Sequence, residues 1–144
     1  MSQTIRPLVI CLFRHADKIL VVEGYDPLKP ETFYRPLGGG IEFGEYAQQA
    51  LVRELREELN AEIKDAHYLF TLESIFTFNG QAGHEIVLVY DATFVDETLY
   101  QRAVIDGQED AATPFSAVWK SLVEIAAGGL PLYPDGLLVR LLDT

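Results

Sequence analysis

The chain is 144 residues long, 49% hydrophobic and 23% charged, with 22 Asp plus Glu against 11 Lys plus Arg and a formal net charge of -11. A chain of this size forms one domain that buries well over half of the surface its unfolded form exposes, so it needs neither disulfides nor a structural metal to fold. The acidic balance argues against stable nucleic-acid binding and against an anionic membrane surface, because both depend on Lys and Arg, and an anionic ligand would call for a divalent cation as neutraliser.

In chain order, Pro7 to Arg14 and Lys18 to Glu23 are short runs rich in Val, Ile and Leu, predicted to pair as a hairpin across His15-Ala16-Asp17-Lys18. Cys11 is the one cysteine, which excludes an intramolecular disulfide and a multi-Cys zinc site; within the run Leu8 to Phe13 it reads as a buried strand thiol. That run is far shorter than the roughly 20 residues of a membrane span. No N-terminal stretch has the shape of a signal peptide, so a cytoplasmic location is the expectation. Gly24 to Glu31 should be a loop, Phe33 to Leu37 a short extended piece, and Gly38, Gly39 and Gly40 are expected to break any regular element.

From Glu45 to Leu59 the period changes, with Ala47, Ala50, Leu51, Leu55 and Leu59 on one side of a helix. Asn60 suits the left-handed residue that ends it. Ile63 to Phe78 and His84 to Val95 are strand-like and should pair across the turn-forming cluster Asn79 to Gly83. After a polar, acidic segment at Asp106 to Asp110 come an extended piece at Phe115 to Trp119, a helix at Leu122 to Ala127 and a short helix after Pro134. This order suggests an α/β domain, a mixed sheet with helices packed on its faces.

The chemistry concentrates between Gly39 and Ala61, read as Gly39, five residues, Glu45, seven residues, then Arg53-Glu54-Leu55-Arg56-Glu57-Glu58-Leu59-Asn60-Ala61. At 100° per residue Glu54, Glu57 and Glu58 share an arc of about 100° on one helix face, so three carboxylates are expected to converge. Like charges so placed repel unless cations occupy the site, and oxygen-only ligands favour Mg²⁺ or Mn²⁺. Arg53 precedes Glu57 by four residues and can orient it by an ion pair. A solvated surface helix would show the same charges. The glycine run just before it separates the two readings, because its backbone can approach a metal or a phosphate.

This segment resembles the signature of the Nudix hydrolases, with Gly39, Glu45, Arg53, Glu54, Leu55, Glu57 and Glu58 in register, Asn60 in place of a glycine and Ala61 in place of a larger aliphatic residue. The resemblance implies a Nudix-type α/β/α sandwich with a mixed β-sheet, spanning the chain as a single domain. It implies that Glu54, Glu57 and Glu58 bind catalytic Mg²⁺, or Mn²⁺ as a substitute, with the Gly38 or Gly39 carbonyl, and that Glu45 and Arg53 are structural or orienting. The reaction it implies is hydrolysis of a diphosphate in a nucleoside diphosphate linked to another moiety. A nucleotide-metabolite sensor without catalysis is the alternative, and the retention of all three glutamates speaks for the enzyme. Subgroup markers for ADP-ribose and dinucleoside polyphosphate hydrolases, a proline or a tyrosine shortly after the signature, are missing from Ile75-Phe76-Thr77-Phe78-Asn79.

Outside the signature, Glu109 is the candidate loop carboxylate that reaches the metals as general base, against the reading of a solvated loop. Glu73 and Glu85 are further candidates within strand-like runs. Arg35, beside the glycine run, is a candidate phosphate ligand, as are the Gly39 and Gly40 backbone and, after Gly83, His84, which a turn role would equally explain. Among Tyr25, Tyr34, Phe76 and Phe78 one or two are candidates for stacking on a base, whereas Trp119 is expected in the core. The expected partner is a small nucleotide-type diphosphate. A homodimer is common in the family and no residue pattern here fixes it.

Overall fold

The computed structural model describes residues 3–110 and 112–143. Among these described residues nine strands and three helices follow in the order β1 (Ile5–Leu12), β2 (Arg14–His15), β3 (Lys18–Asp26), β4 (Glu31–Arg35), β5 (Leu37–Gly40), α1 (Ala47–Leu59), β6 (Ile63–Phe78), β7 (Gln81–Phe94), β8 (Val104–Gln108), β9 (Pro114–Ser121), α2 (Leu122–Ala127) and α3 (Leu137–Leu142), with a 3₁₀ turn at Glu97–Gln101. One sheet is mixed, in the order β5-β1-β7-β6, with β1 parallel to β7 and its other pairs antiparallel. The second is antiparallel, β2-β3-β9-β8 with β4 also on β3.

The central strands read as continuous apolar runs because both of their faces are covered. Alternate residues of β1 serve different layers. Val9 and Cys11 pack with Ala50, Leu51 and Leu55 of α1, while Ile10 and Leu12 join Ile125 of α2 and Leu137 and Leu141 of α3. The result is the expected α/β/α sandwich, and Cys11 is buried in it. Leu51 and Leu55 are 0% exposed, each worth roughly 2 kcal/mol of apolar burial. They fix which side of α1 faces the sheet.

Helix α1 begins at Ala47 and ends as expected, with Asn60 left-handed at φ 53° and its N–H on the Arg56 carbonyl. The β6–β7 hairpin closes on Asn79 and Gly80, at φ 51° and 77°, the pair of positive φ angles that a tight two-residue turn requires. Strand β7 therefore starts at Gln81, earlier than His84.

Four expectations are corrected. Of the first hairpin only the tip forms, Arg14 and His15 of β2 facing Ile19 and Lys18 of β3, while β1 lies in the other sheet between β5 and β7. The glycine run does not break the structure: Gly38 to Gly40 are strand β5, paired with Val9 and its neighbours on β1. A partner strand decides that pairing, and intrinsic preference does not oppose it strongly enough. Gly38 has φ 149°, and a Cβ there would lie 2.1 Å from the Val9 carbonyl oxygen, so the run serves close backbone approach. The segment from Asp106 is likewise ordered as β8 up to Gln108, its Gly107 set where a Cβ would come 2.5 Å from the Glu58 carbonyl oxygen. Residues Gly24 to Asp26 continue β3 against β4, with Asp26 as an anchor that accepts from the amides of Leu28, Lys29 and Asn79.

Candidate functional site

Packing Leu51 and Leu55 into the core turns the adjoining positions Glu54 and Glu58 toward strand β5. Gly39 makes the approach possible, because a Cβ on it would fall 2.4 Å from the Glu54 carboxyl carbon. Both glutamates line a cleft of about 710 Å³ together with Gly38, Gly39 and Gly40.

Arg53 organises this end of α1. Its Nε and Nη2 donate to the two Glu45 oxygens at 2.7 and 2.9 Å, and Nη2 also donates to the Gly40 carbonyl at 2.9 Å. Nη1 donates to Glu54 at 3.0 Å and to Glu57 at 3.3 Å. One planar guanidinium thus ties the helix to the glycine strand and to the loop before the helix, a task for which a point-charge ammonium has the wrong shape. Its hydrogen bonds hold the Glu45 carboxyl down at about 2. Among these contacts of Arg53 the one with Glu57 is the longest.

Glu58 is 6% exposed, and its Oε1 is buried without a hydrogen-bond partner. Burial first, then the charge of Glu54, pushes its carboxyl up to about 8, against the pull of Arg35 and the Gly38 backbone. Burial likewise raises Glu54, opposed by Arg53. Glu57 differs: its side chain is 58% exposed and does not line the cleft. Among the described residues no three His, Cys, Asp or Glu side chains stand together as a ready ligand set. Of the three carboxylates expected to converge, Glu54 and Glu58 line the cleft, while Glu57 stands outside it on the exposed side of α1, joined to Glu54 only through Arg53 Nη1. The orphaned Glu58 oxygen next to Glu54 is what a divalent cation would satisfy, so the residues present fit one.

Arg35 and Glu109, 74 positions apart, form an ion pair, and both line the cleft. Phe76, Phe78 and Glu85 line it as well, whereas Glu73, His84, Tyr25 and Tyr34 do not. His84 lies opposite Ile5 and Ile75 in the sheet. Trp119 packs on the α1 core and stacks with Tyr100. Among the cleft residues that had no signal of their own in the sequence are Arg6, Phe33, Tyr133 and Asp135. Tyr133 reaches the site through its hydrogen bond to Glu31 at 2.6 Å, across 102 positions, and the bridge of Leu132 to Tyr34 holds that segment in place. No helix among the described residues is long and apolar enough to cross a membrane.

The sequence profile of the NUDIX domain matches residues 4–134. A similar protein is the NAD-capped RNA hydrolase NudC of Pseudomonas putida, 35% identical over 94 residues, which are 60% of this chain and 33% of that protein. The chain thus spans about a third of that relative. Among solved structures, a NUDIX hydrolase from Nitrosomonas europaea superposes with TM-score 0.67 at 20% identity, covering 97% of this chain and 87% of that one. The E. coli ORF135 protein does so with TM-score 0.63 at 26% identity, covering 99% and 91%.

Proposed function

Because the chain belongs to the NUDIX domain family, we propose that it is a hydrolase that cleaves the diphosphate bond of a nucleoside diphosphate linked to another moiety, with Mg²⁺ or Mn²⁺ as cofactor. The observation that carries this reading is the buried, unpartnered Oε1 of Glu58 beside Glu54 on the glycine strand, at the floor of an open cleft. Glu54 and Glu58 would hold the cation, with Glu57 and the Gly38 carbonyl completing the set from the rim. A bound divalent ion supplies neutralisation of the diphosphate oxygens and activation of the attacking water.

The chain's own groups do the rest. Arg53 keeps Glu54 oriented, so its carboxylate does not have to be ordered anew in each turnover. Arg35 offers a fork of donors to a phosphate, as do Gly39 and Gly40 through their backbone. Glu109, paired with Arg35 across the cleft, is the carboxylate suited to accept the proton of the attacking water once a phosphate engages Arg35. Phe33, Phe76, Phe78 and Tyr133 give the other part of the cleft faces for a base.

The test is turnover on a panel of ADP-ribose, NADH, dinucleoside polyphosphates, nucleotide sugars, nucleoside triphosphates and, because the similar Pseudomonas protein is named for it, NAD-capped RNA. Mg²⁺-dependent release of a mononucleotide by the wild type and its loss in Glu58→Gln is the expected result. Metal binding with no turnover on any member would favour the sensor reading.

A further inference from the structure

The cationic side chains that line the cleft are Arg6, Lys29 and Arg35, outnumbered there by carboxylates. Each rests on an acid that also lines the cleft: Arg6 on Glu85 at 3.7 Å, Lys29 on Glu31 at 3.6 Å, and Arg35 on Glu109. An anion entering the cleft therefore meets no free positive charge among the described residues and binds by exchange of ion pairs. Arg6 is the best placed to make that exchange. It stands opposite Glu85 in the parallel β1–β7 register, and a Cβ on Gly40 would lie 3.0 Å from its Nη2. The guanidinium thus overhangs the glycine strand. Its side chain is 61% exposed, and its contact with Glu85 is one long ion pair without a hydrogen bond, a grip that a bidentate phosphate contact would exceed.

We propose that Arg6 is a diphosphate-binding residue that forms, with Arg35, a two-guanidinium clamp over the glutamate floor, and that Glu85 is the placeholder anion that holds Arg6 until the diphosphate displaces it. The inference rests on the hydrolase reading above and adds a residue and an exchange step to it. A merely structural role is the rival: there Arg6–Glu85 would be a cross-strand tie, and removing either partner would do the same damage.

The experiment is calorimetric titration of inorganic pyrophosphate, with Mg²⁺ present, into the wild type, Arg6→Gln, Arg6→Lys and Glu85→Gln, with thermal unfolding and hydrolysis of the best panel substrate recorded on each. The clamp requires about tenfold or greater weakening in Arg6→Gln, partial recovery in Arg6→Lys, and unchanged or tighter binding in Glu85→Gln, with Tm values within about 2 °C of one another. KM should rise in Arg6→Gln more than kcat falls. Parallel losses of binding or of Tm in Arg6→Gln and Glu85→Gln would overturn it. So would unaltered pyrophosphate binding in Arg6→Gln, an outcome that leaves the hydrolase reading intact if the wild type turns over. A wild type that neither binds pyrophosphate nor hydrolyses any panel member overturns both.

Discussion

A carboxyl oxygen removed from water without a partner costs stability unless something else compensates it, and Glu58 Oε1 is in that position. With its carboxyl raised to about 8, Glu58 has to take up a proton on folding at neutral pH, a cost that the isosteric amide does not carry. We therefore expect Glu58→Gln to unfold at a higher temperature than the wild type in the presence of chelator, by about 1 kcal/mol or roughly 2–4 °C for a chain of this size. Adding Mg²⁺ should raise the wild type and leave the variant where it is. A variant less stable than the wild type in chelator would mean that Glu58 has a partner at neutral pH that the structure does not contain. The signature spacing made Glu58 visible as a candidate, but its burial follows from β5 and β8 closing over the end of α1, which no local pattern encodes.

Helix α1 is the element whose ends carry the site, and each end can be tested. At its C-terminus Asn60 is left-handed. Asn60→Ala should cost about 1 kcal/mol, since an added side chain without Asn's local hydrogen bonding resists that conformation, and Asn60→Gly should be neutral or slightly stabilising; chemical denaturation midpoints distinguish the two. Near its N-terminal end, Glu45 is held at about 2 by Arg53, below its ordinary value of 4.5. A depressed carboxyl contributes stability that is fully present above 4.5 and is lost as pH falls toward 2. The acid-unfolding curve of Glu45→Gln should therefore converge on that of the wild type as pH drops through this window; curves that stay parallel would remove the ion pair from the account. The helix was legible because its period shows whether or not anything packs on it. The glycine strand and β8 were not, because their order comes from a partner: β1 for Gly38 to Gly40, and β9 for Asp106 to Gln108.

At the scale of the whole molecule, a chain of net charge -11 presents a cleft rich in carboxylates to what we read as an anionic substrate. On the proposed reading, paired arginines and a divalent cation would be the means by which such a cleft binds it. Part of the site was legible in advance, since Glu54, Glu58, Gly39 and Arg53 lie in one stretch with fixed spacing and Arg35 lies beside it. The remainder comes from distant segments: Arg6 from the first strand, Glu109 after β8, and Tyr133 from the loop before α3. Their chemistry is ordinary until the fold sets them side by side. The site's central claim is metal-dependent hydrolysis through Glu58, and the most direct measurement is the initial rate on the best panel substrate as Mg²⁺ is raised from zero, for the wild type and Glu58→Gln. Metal-dependent hydrolysis through Glu58 requires a saturable rise in the wild type and a rate lower by at least about a hundredfold in the variant, the scale on which one group that acts in the transition state is felt. Equal rates in the two proteins, or a wild-type rate indifferent to Mg²⁺ and to chelator, would contradict it.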